Sequence, residues 1–467
     1  MLILSVFTLD KTGNISYNII IFLFRRFVFI MSLKVLKFGG SSLADAEHFR
    51  QVAQIVKSDP SRRYVVASAP GKRSSNDTKV TDLLYKCYEL AYNEEDITDV
   101  FEEIKQRYND IIADLGIELD LSEVFEKIRL SLLHSTGRDY IASRGEYLNA
   151  MVLAKYLGFS FFDAKKAVFF NEDGSFNSER TNDAMREALS RLDYAVIPGF
   201  YGSMPNGTIK TFSRGGSDIT GSIVARAVSA TIYENWTDVS GFLMADPRII
   251  DNPAPIKTIT YKELRELSYM GATVLHEDAI FPVRYSKIPI NIRNTNRPED
   301  NGTFIVPETD DIGEYTITGI AGRTGFSSIT IEKAMMNAEL GLGRKVLQVL
   351  EENGVSFEHF PSGIDTMTVI VSTRALQEKR ADILAGICKN VNPENIFVEE
   401  NLALIAVVGR GMVKAKGTAA RIFMSLANAG VNIRMIDQGS SELNIIIGVD
   451  ANDYVTALGA IYNEFVK

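Results

Sequence analysis

Leu33-Lys34-Val35-Leu36-Lys37-Phe38-Gly39-Gly40-Ser41-Ser42 is the stretch on which the fold turns. Leu33 to Phe38 reads as a strand, and two glycines follow it at once. Glycines let a backbone come close to a ligand, and their N–H groups can point into an anion. Lys37 adds a positive charge at the strand end. The result is a candidate phosphate cradle at the carboxyl end of a strand, where open α/β sheets bind ligands. It is not a Walker A loop, because G-x-x-x-x-G-K-[ST] is absent. A Gly-Gly turn after a strand is commonly only a turn, so the rest of the chain has to support the reading.

Working outward, Tyr64-Val65-Val66-Ala67 and Tyr194-Ala195-Val196-Ile197 read as buried strands, the second ending at Pro198-Gly199. Between them, Val100, Ile104, Ile111, Ile112 and Leu115 give residues 97–133 helical spacing. Strands alternating with helices predict an α/β domain, a mostly parallel sheet sandwiched by helices, over about 33–306. The acidic segment Pro307–Tyr315 reads as a linker. Upstream, Ile19–Leu23 and Phe27–Ile30 are apolar but interrupted by Arg25-Arg26, too short to span a membrane and in the wrong order for a signal peptide. Met31 is read as the working start and residues 1–30 as an upstream extension; the alternative is a weak membrane-surface segment.

The C-terminal part repeats itself. Val346, Leu347, Leu350 and Gly354-Val355-Ser356 match Ile422, Phe423, Leu426 and Gly430-Val431-Asn432, each pair 76 residues apart. Gly341 matches Gly417 and Gly363 matches Gly439 at the same offset. Strands follow at Thr368–Val371 and Asn444–Ile447, so each copy reads as helix, turn, strand, strand, helix: one small α+β module. The boundaries expected are 316–395 and 400–467.

Composition removes several classes of function. A net charge of −9 argues against a broad nucleic-acid surface. Cys87 and Cys388 stand alone, which fits a reducing cytosol and leaves no disulfide framework or Cys-based zinc site. His48, His134, His276 and His359 have no ligand spacing, so a His-based metal site or Ser-His-Asp chemistry is disfavoured.

Other motifs supply charge. In Ser213-Arg214-Gly215-Gly216-Ser217-Asp218, which opens a helix, Arg214 can fork onto a carboxylate beside exposed N–H donors. Ser143-Arg144-Gly145-Glu146 also has the form of a capping box. Trp236-Thr237-Asp238 with Asp246-Pro247-Arg248 reads locally as a strand and a turn. Together these fit phosphorylation of a carboxylate. That nucleophile is already ionised at neutral pH, so the enzyme needs no general base. It must align two anions and neutralise charge as the phosphoryl group moves.

Over essentially all of 31–467 the chain resembles the aspartate kinases of the amino-acid-kinase superfamily. Lys37–Ser42 resembles the family's Lys-Phe-Gly-Gly-Thr-Ser, with Ser41 for threonine. Ser143–Glu146 resembles Ser-x-Gly-Glu, and Phe212–Asp218 resembles the Gly-Arg-Gly-Gly-Ser-Asp loop, with Ser213 for its first glycine. Gly271-Ala272-Thr273-Val274-Leu275-His276 matches a further signature, and tandem ACT modules account for the repeat. The resemblance implies ATP-dependent formation of 4-phospho-L-aspartate, the first step of lysine, threonine and methionine biosynthesis, with Mg2+ accompanying the nucleotide. It implies catalytic roles for Lys37 and Asp218. It places substrate at Ser68, Thr81, Glu146, Arg214 and Ser217, with Glu146 on the amino group. It places ATP at Lys37, Gly39, Gly40, Ser41, Thr237, Asp238 and Arg248. Leu243 and Thr273 depart from the aromatic and lysine frequent in the family, which puts the adenine contacts in question. Gly71–Val80 is longer and more polar than expected and reads as a mobile flap.

The first module carries Met336, Gly341-Leu342-Gly343 and Ser356-Phe357-Glu358. A glycine-rich helix start offers N–H groups to a carboxylate, and Glu358 is a candidate partner for a cation. The resemblance makes these the allosteric residues, with lysine ahead of threonine as effector. It also implies interleaved modules, a strand near 317–321 joining the second, and a homodimer or larger assembly. The expectation is a cytoplasmic enzyme with no nucleic-acid or membrane partner. The rival of a different class is a catalytically inactive amino-acid sensor of the same fold.

Overall fold

The computed structural model describes residues 33–134, 137–213, 215–272 and 281–466. The extension at 1–30, Arg214, and the signature from Thr273 to His276 lie outside the described residues. The chain opens with β1 (Lys34–Phe38), α1 (Ala46–Lys57), β2 (Arg62–Ala67), α2 (Val80–Tyr92), α3 (Thr98–Leu115), α4 (Ser122–Leu133) and α5 (Arg138–Leu157). There follow β3 (Ser160–Phe161), α6 (Ser178–Leu189), β4 (Ala195–Pro198), β5 (Tyr201–Ser203), β6 (Ile209–Thr211), α7 (Gly216–Ala227) and β7 (Ile232–Thr237). Next come β8 (Thr258–Thr260), α8 (Tyr261–Tyr269), α9 (Phe281–Tyr285), β9 (Ile290–Asn294) and β10 (Thr303–Val306). Two compact units result. One holds the residues up to Ser240 with those of 278–300; the other holds 241–277 and everything from Asn301.

In the first unit the strands run β3-β4-β2-β1-β7-β9, all parallel. β1 has a neighbour on each side, and Val35, Leu36 and Phe38 are wholly buried. A strand covered on both faces buries apolar side chains on each, which is why Val35 and Leu36 are consecutive and both wholly buried. Phe49 and Val52 of α1, Ile104 and Tyr108 of α3, and Leu148 and Val152 of α5 share its core. The helical stretch read at 97–133 is two helices, because Gly116 adopts φ 65° and caps α3. Ser143 is not a cap: α5 starts five residues earlier at Arg138, and the Ser143 hydroxyl donates back to the Tyr140 carbonyl.

In the second unit β8 and β10 pair in parallel. α8 opens with a true capping box, the Thr260 hydroxyl accepting from the Glu263 N–H while the Glu263 carboxylate accepts from the Thr260 N–H. After β10 come β11 (Gly319–Glu332), α10 (Leu342–Glu352), β12 (Phe357–His359), β13 (Thr366–Ser372) and α11 (Thr373–Val391). The chain ends with β14 (Asn395–Val408), α12 (Thr418–Asn428), β15 (Ile433–Asp437), β16 (Asn444–Asp450) and α13 (Tyr454–Val466). The antiparallel sheet order is β12-β13-β11-β14-β16-β15. Both copies of the repeat start their first helix after a left-handed glycine, Gly341 at φ 78° and Gly417 at φ 86°. β11 serves both: Gly319–Arg323 lie on the part of β14 that pairs with β16, while Phe326–Glu332 pair with β13.

Candidate active site

The register of β1 on β7 sets Lys37 opposite Asn235. Lys37 Nζ lies 2.6 Å from Asp218 Oδ1 and donates to Asn235 Oδ1 at 3.5 Å. Asn235 Nδ2 donates to the same Asp218 oxygen at 2.9 Å. Asp218 sits in the first turn of α7, whose N-cap is Gly215 at φ 58°. Strand end, strand neighbour and helix start are thus tied into one charged cluster, with Lys37 and Asn235 buried and Asp218 half-buried. An ammonium has three donors, so this one retains capacity for an incoming anion.

The glycine turn packs tightly against the connection leaving β2. A Cβ on Gly40 would lie 2.8 Å from the Ala69 carbonyl oxygen, and one on Gly71 2.6 Å from the Gly40 carbonyl carbon. Both positions therefore exclude a side chain by close approach rather than by backbone angle. The Gly39 N–H is held by the Trp236 carbonyl at 3.0 Å, the Gly71 N–H by Gly40 at 2.8 Å. Ser41 is half-buried, and Ser42 shares a 2.7 Å hydroxyl contact with Thr295. Thr237 closes β7, and its hydroxyl donates to the exposed Asp238 at 3.2 Å.

The face of α5 closes another side. Gly145 meets Ala69, where an added Cβ would come within 2.8 Å of the alanine methyl. Glu146 is 6% exposed, and burial pushes its carboxyl up to about 8. The main-chain N–H groups of Glu146 and Ala69, then the Arg144 charge, pull the other way but do not compensate. Arg144 is held among the rings of Tyr140, Tyr147 and Tyr201. Ser68, at the end of β2, donates its N–H to Phe38 at 3.2 Å and accepts from Asn149 Nδ2 at 2.6 Å. Thr81 is half-buried in the first turn of α2. Ser217 lies against Gly199, where a Cβ would sit 2.6 Å from the serine hydroxyl.

Lys37, Gly39, Gly40, Ser41, Ser68, Thr81, Glu146, Ser217, Asp218, Thr237 and Asp238 all lie in the first unit. Arg248 lies in the second unit, exposed and paired with its neighbour Asp246. The loop read as a mobile flap is anchored: Asp77 accepts from buried Arg107 at 2.7 Å and from Arg73 at 3.1 Å. Of the regulatory candidates, Gly341 caps α10, Met336 belongs to the module core, and Ser356 is exposed. Gly343 faces Phe360. Asn235 and Asn149 were missed; a polar residue inside the aromatic-flanked strand Tyr233-Glu234-Asn235-Trp236 was the available signal for the first.

A parallel α/β sheet that brings a lysine, a carboxylate and a glycine turn together at its strand ends has the form of a small-molecule phosphotransferase site. The amino acid kinase family model matches residues 32–294 and an ACT domain model matches 405–465. The chain is 40% identical to aspartokinase 3 of Bacillus subtilis (strain 168), over 93% of this chain and 98% of that protein. The crystal structure of Clostridium acetobutylicum aspartate kinase superposes with a TM-score of 0.85 at 51% identity, over 93% of this chain and 100% of that one. Escherichia coli aspartokinase III, in complex with aspartate and ADP in the R-state, gives a TM-score of 0.69 at 25% identity over 93% of this chain and 99% of that one. The chain belongs to the aspartokinases of the amino acid kinase family, and it is a kinase.

Proposed function

We propose that the chain transfers the γ-phosphoryl group of ATP to the side-chain carboxylate of L-aspartate, giving 4-phospho-L-aspartate and ADP. The carboxylate oxygen bonds to phosphorus as the bond from phosphorus to the ADP oxygen breaks. No proton moves, because the nucleophile enters ionised. The observation that carries this reading is Lys37 held by Asp218 and Asn235 beside the Gly39-Gly40 turn. Lys37 neutralises charge on the moving phosphoryl group, and Asp218 fixes where that ammonium stands. Gly39, Gly40 and Ser41 border the phosphates, and Thr237, Asp238 and Arg248 serve the nucleotide. Glu146 takes the substrate ammonium, Arg214 a carboxylate, and Ser68, Thr81 and Ser217 complete the substrate pocket.

Among the described residues no group of three His, Cys, Asp or Glu side chains could hold a metal ion. Mg2+ would accompany the nucleotide and would supply further charge neutralisation at its phosphates. The pathway place is the first step of lysine, threonine and methionine biosynthesis, in the cytoplasm. No helix among the described residues is long and apolar enough to cross a membrane.

Regulation by an amino acid, lysine ahead of threonine, is assigned to Met336, Gly341, Gly343, Ser356 and Glu358. E. coli aspartokinase III also has a T-state structure with lysine and aspartate, similar to this chain at a TM-score of 0.70 and 25% identity. Domains are assigned as 33–306, 316–395 and 400–467, with pairing between chains through the last two. Leu340, Met335 and Ile364 of the first module are 95%, 73% and 69% exposed, an apolar surface suited to such pairing. The deciding experiment is aspartate-dependent ADP release, measured with lysine, threonine and both added. No aspartate-dependent turnover would refute the reading.

A further inference from the structure

Two buried side-chain oxygens on one face of α5 lack a hydrogen-bond partner among the described residues. Glu146 and Asn149 are three residues apart, so they stand side by side on the helix surface. Glu146 is 6% exposed and Asn149 0%. Among the described residues neither Glu146 Oε2 nor Asn149 Oδ1 has a hydrogen-bond partner. The orientation of the amide is fixed: Nδ2 donates to the Ser68 carbonyl at 2.6 Å, and a carbonyl can only accept. Oδ1 is therefore the atom left over. The two side chains also converge on the same turn, Asn149 at Ser68 and Glu146 at the main-chain N–H of Ala69.

Folded chains seldom leave such atoms unpaired, because a buried acceptor without a donor forfeits its solvation. Two together, one of them on a carboxyl that gives up its proton when a cation arrives, match a group that donates in several directions and carries positive charge. A primary ammonium, with three N–H bonds and no acceptor, is that group. We propose that Asn149 is a second ligand of the substrate's α-ammonium, sharing it with Glu146. The inference rests on the reading of the chain as an aspartate kinase. Glu146 supplies the charge. Asn149, neutral and locked by Ser68, supplies direction, and ties the ammonium to the turn that borders Gly40. Asn149 thereby helps set preference for an amino acid over the same dicarboxylate without its amine.

The test uses the full chain with Asn149→Ala and Asn149→Ser, assaying kcat, KM for aspartate, KM for ATP, and competitive inhibition by succinate, which is aspartate lacking the amine. Loss of one hydrogen bond to a charged group predicts an aspartate KM raised about 10- to 100-fold. The ATP KM and the succinate inhibition constant stay within about twofold, because neither ligand presents an amine there. Asn149→Ser keeps a hydroxyl in the helix and carries the test if the alanine variant does not fold. An unchanged ratio of aspartate KM to succinate inhibition constant overturns the inference, whether Asn149 merely supports Ser68 or holds a water. If the parent does not phosphorylate aspartate, the functional reading falls first and this one with it.

Discussion

The Tyr269 hydroxyl, at the last residue of α8, donates a hydrogen bond to Glu358 Oε2 on β12. Arg323 Nη2 approaches the same oxygen at 3.9 Å, and its guanidinium lies over the Tyr269 ring at 5.7 Å. Glu358 is thus engaged already. An effector cation taking this carboxylate must displace the tyrosine or share the oxygen, so effector binding and the position of α8 are linked. Tyr269→Phe keeps the ring and deletes the competing donor. Its expected effect is a lysine response shifted to about 2- to 10-fold lower concentration, the scale of one ordinary hydrogen bond. Glu358→Ala should abolish the response while leaving uninhibited kcat near that of the parent. Equal lysine sensitivity in both variants and the parent would remove Glu358 from the effector site.

Lys37 and Asn235 test the catalytic cluster. Lys37→Ala should lower kcat by roughly two orders of magnitude or more, the scale of losing one preorganised electrostatic group. Asn235→Ala leaves the ammonium in place but removes one of its two anchors and a donor to Asp218. A smaller loss, about 10-fold in kcat with little change in KM for aspartate, is expected. Near-normal turnover of Lys37→Ala would reject the cradle assignment.

The local parts of this architecture were legible and the long-range ones were not. β1 and its glycine turn are written in ten consecutive residues, and the repeat in a constant 76-residue offset, so neither needs tertiary information. Asn235 contacts Lys37 from 198 positions away, through a strand register that no local pattern encodes. Asn149 looks like an ordinary polar helix residue until the Ser68 carbonyl is seen beneath it. The capping-box alternative for Ser143–Glu146 fails because the same spacing lies in a helix interior once α5 begins at Arg138. The genuine box is Thr260–Glu263.

That box leads to a stability prediction. Glu263 is wholly buried and accepts from Thr318, the Arg410 N–H and the Arg410 guanidinium at 2.6 to 3.1 Å. Burial alone would raise its pKa. Hydrogen bonds from Thr318 and from the Thr260 and Arg410 main-chain N–H groups, with the Arg410 charge, outweigh it and hold the carboxyl below its usual value. A depressed carboxyl contributes stability above its unfolded pKa and loses it as pH falls through the folded one. Arg410→Ala leaves a buried charge uncompensated, which costs about 3–5 kcal/mol. Thermal unfolding at pH 7 should show this loss, and the deficit against the parent should shrink as the pH is lowered towards 3. A variant as stable as the parent at pH 7 would show the pair to be dispensable.

Glu146 has the opposite sign. Its carboxyl is pushed up to about 8 by burial, so at neutral pH the free enzyme holds it largely protonated. An ammonium partner needs the carboxylate. Aspartate binding at pH 7 should therefore release close to one proton, seen as a dependence of calorimetric binding enthalpy on buffer ionisation enthalpy. The value of kcat/KM for aspartate should rise about tenfold per pH unit below 8 and level off above it, until the substrate amine itself deprotonates. The folding consequence has a fixed direction as well. A carboxyl whose pKa is raised on folding contributes stability that is fully present below the unfolded value and is lost progressively as pH rises to about 8. Glu146→Gln, neutral at every pH, should therefore gain stability over the parent between pH 5 and 8, by roughly a few kcal/mol at the upper end, since a tenfold change in proton affinity corresponds to about 1.4 kcal/mol. The same variant should bind aspartate weakly and with no proton release. A flat profile between pH 6 and 9 in the parent, with no buffer dependence of its binding enthalpy, would show that Glu146 is ionised before substrate arrives.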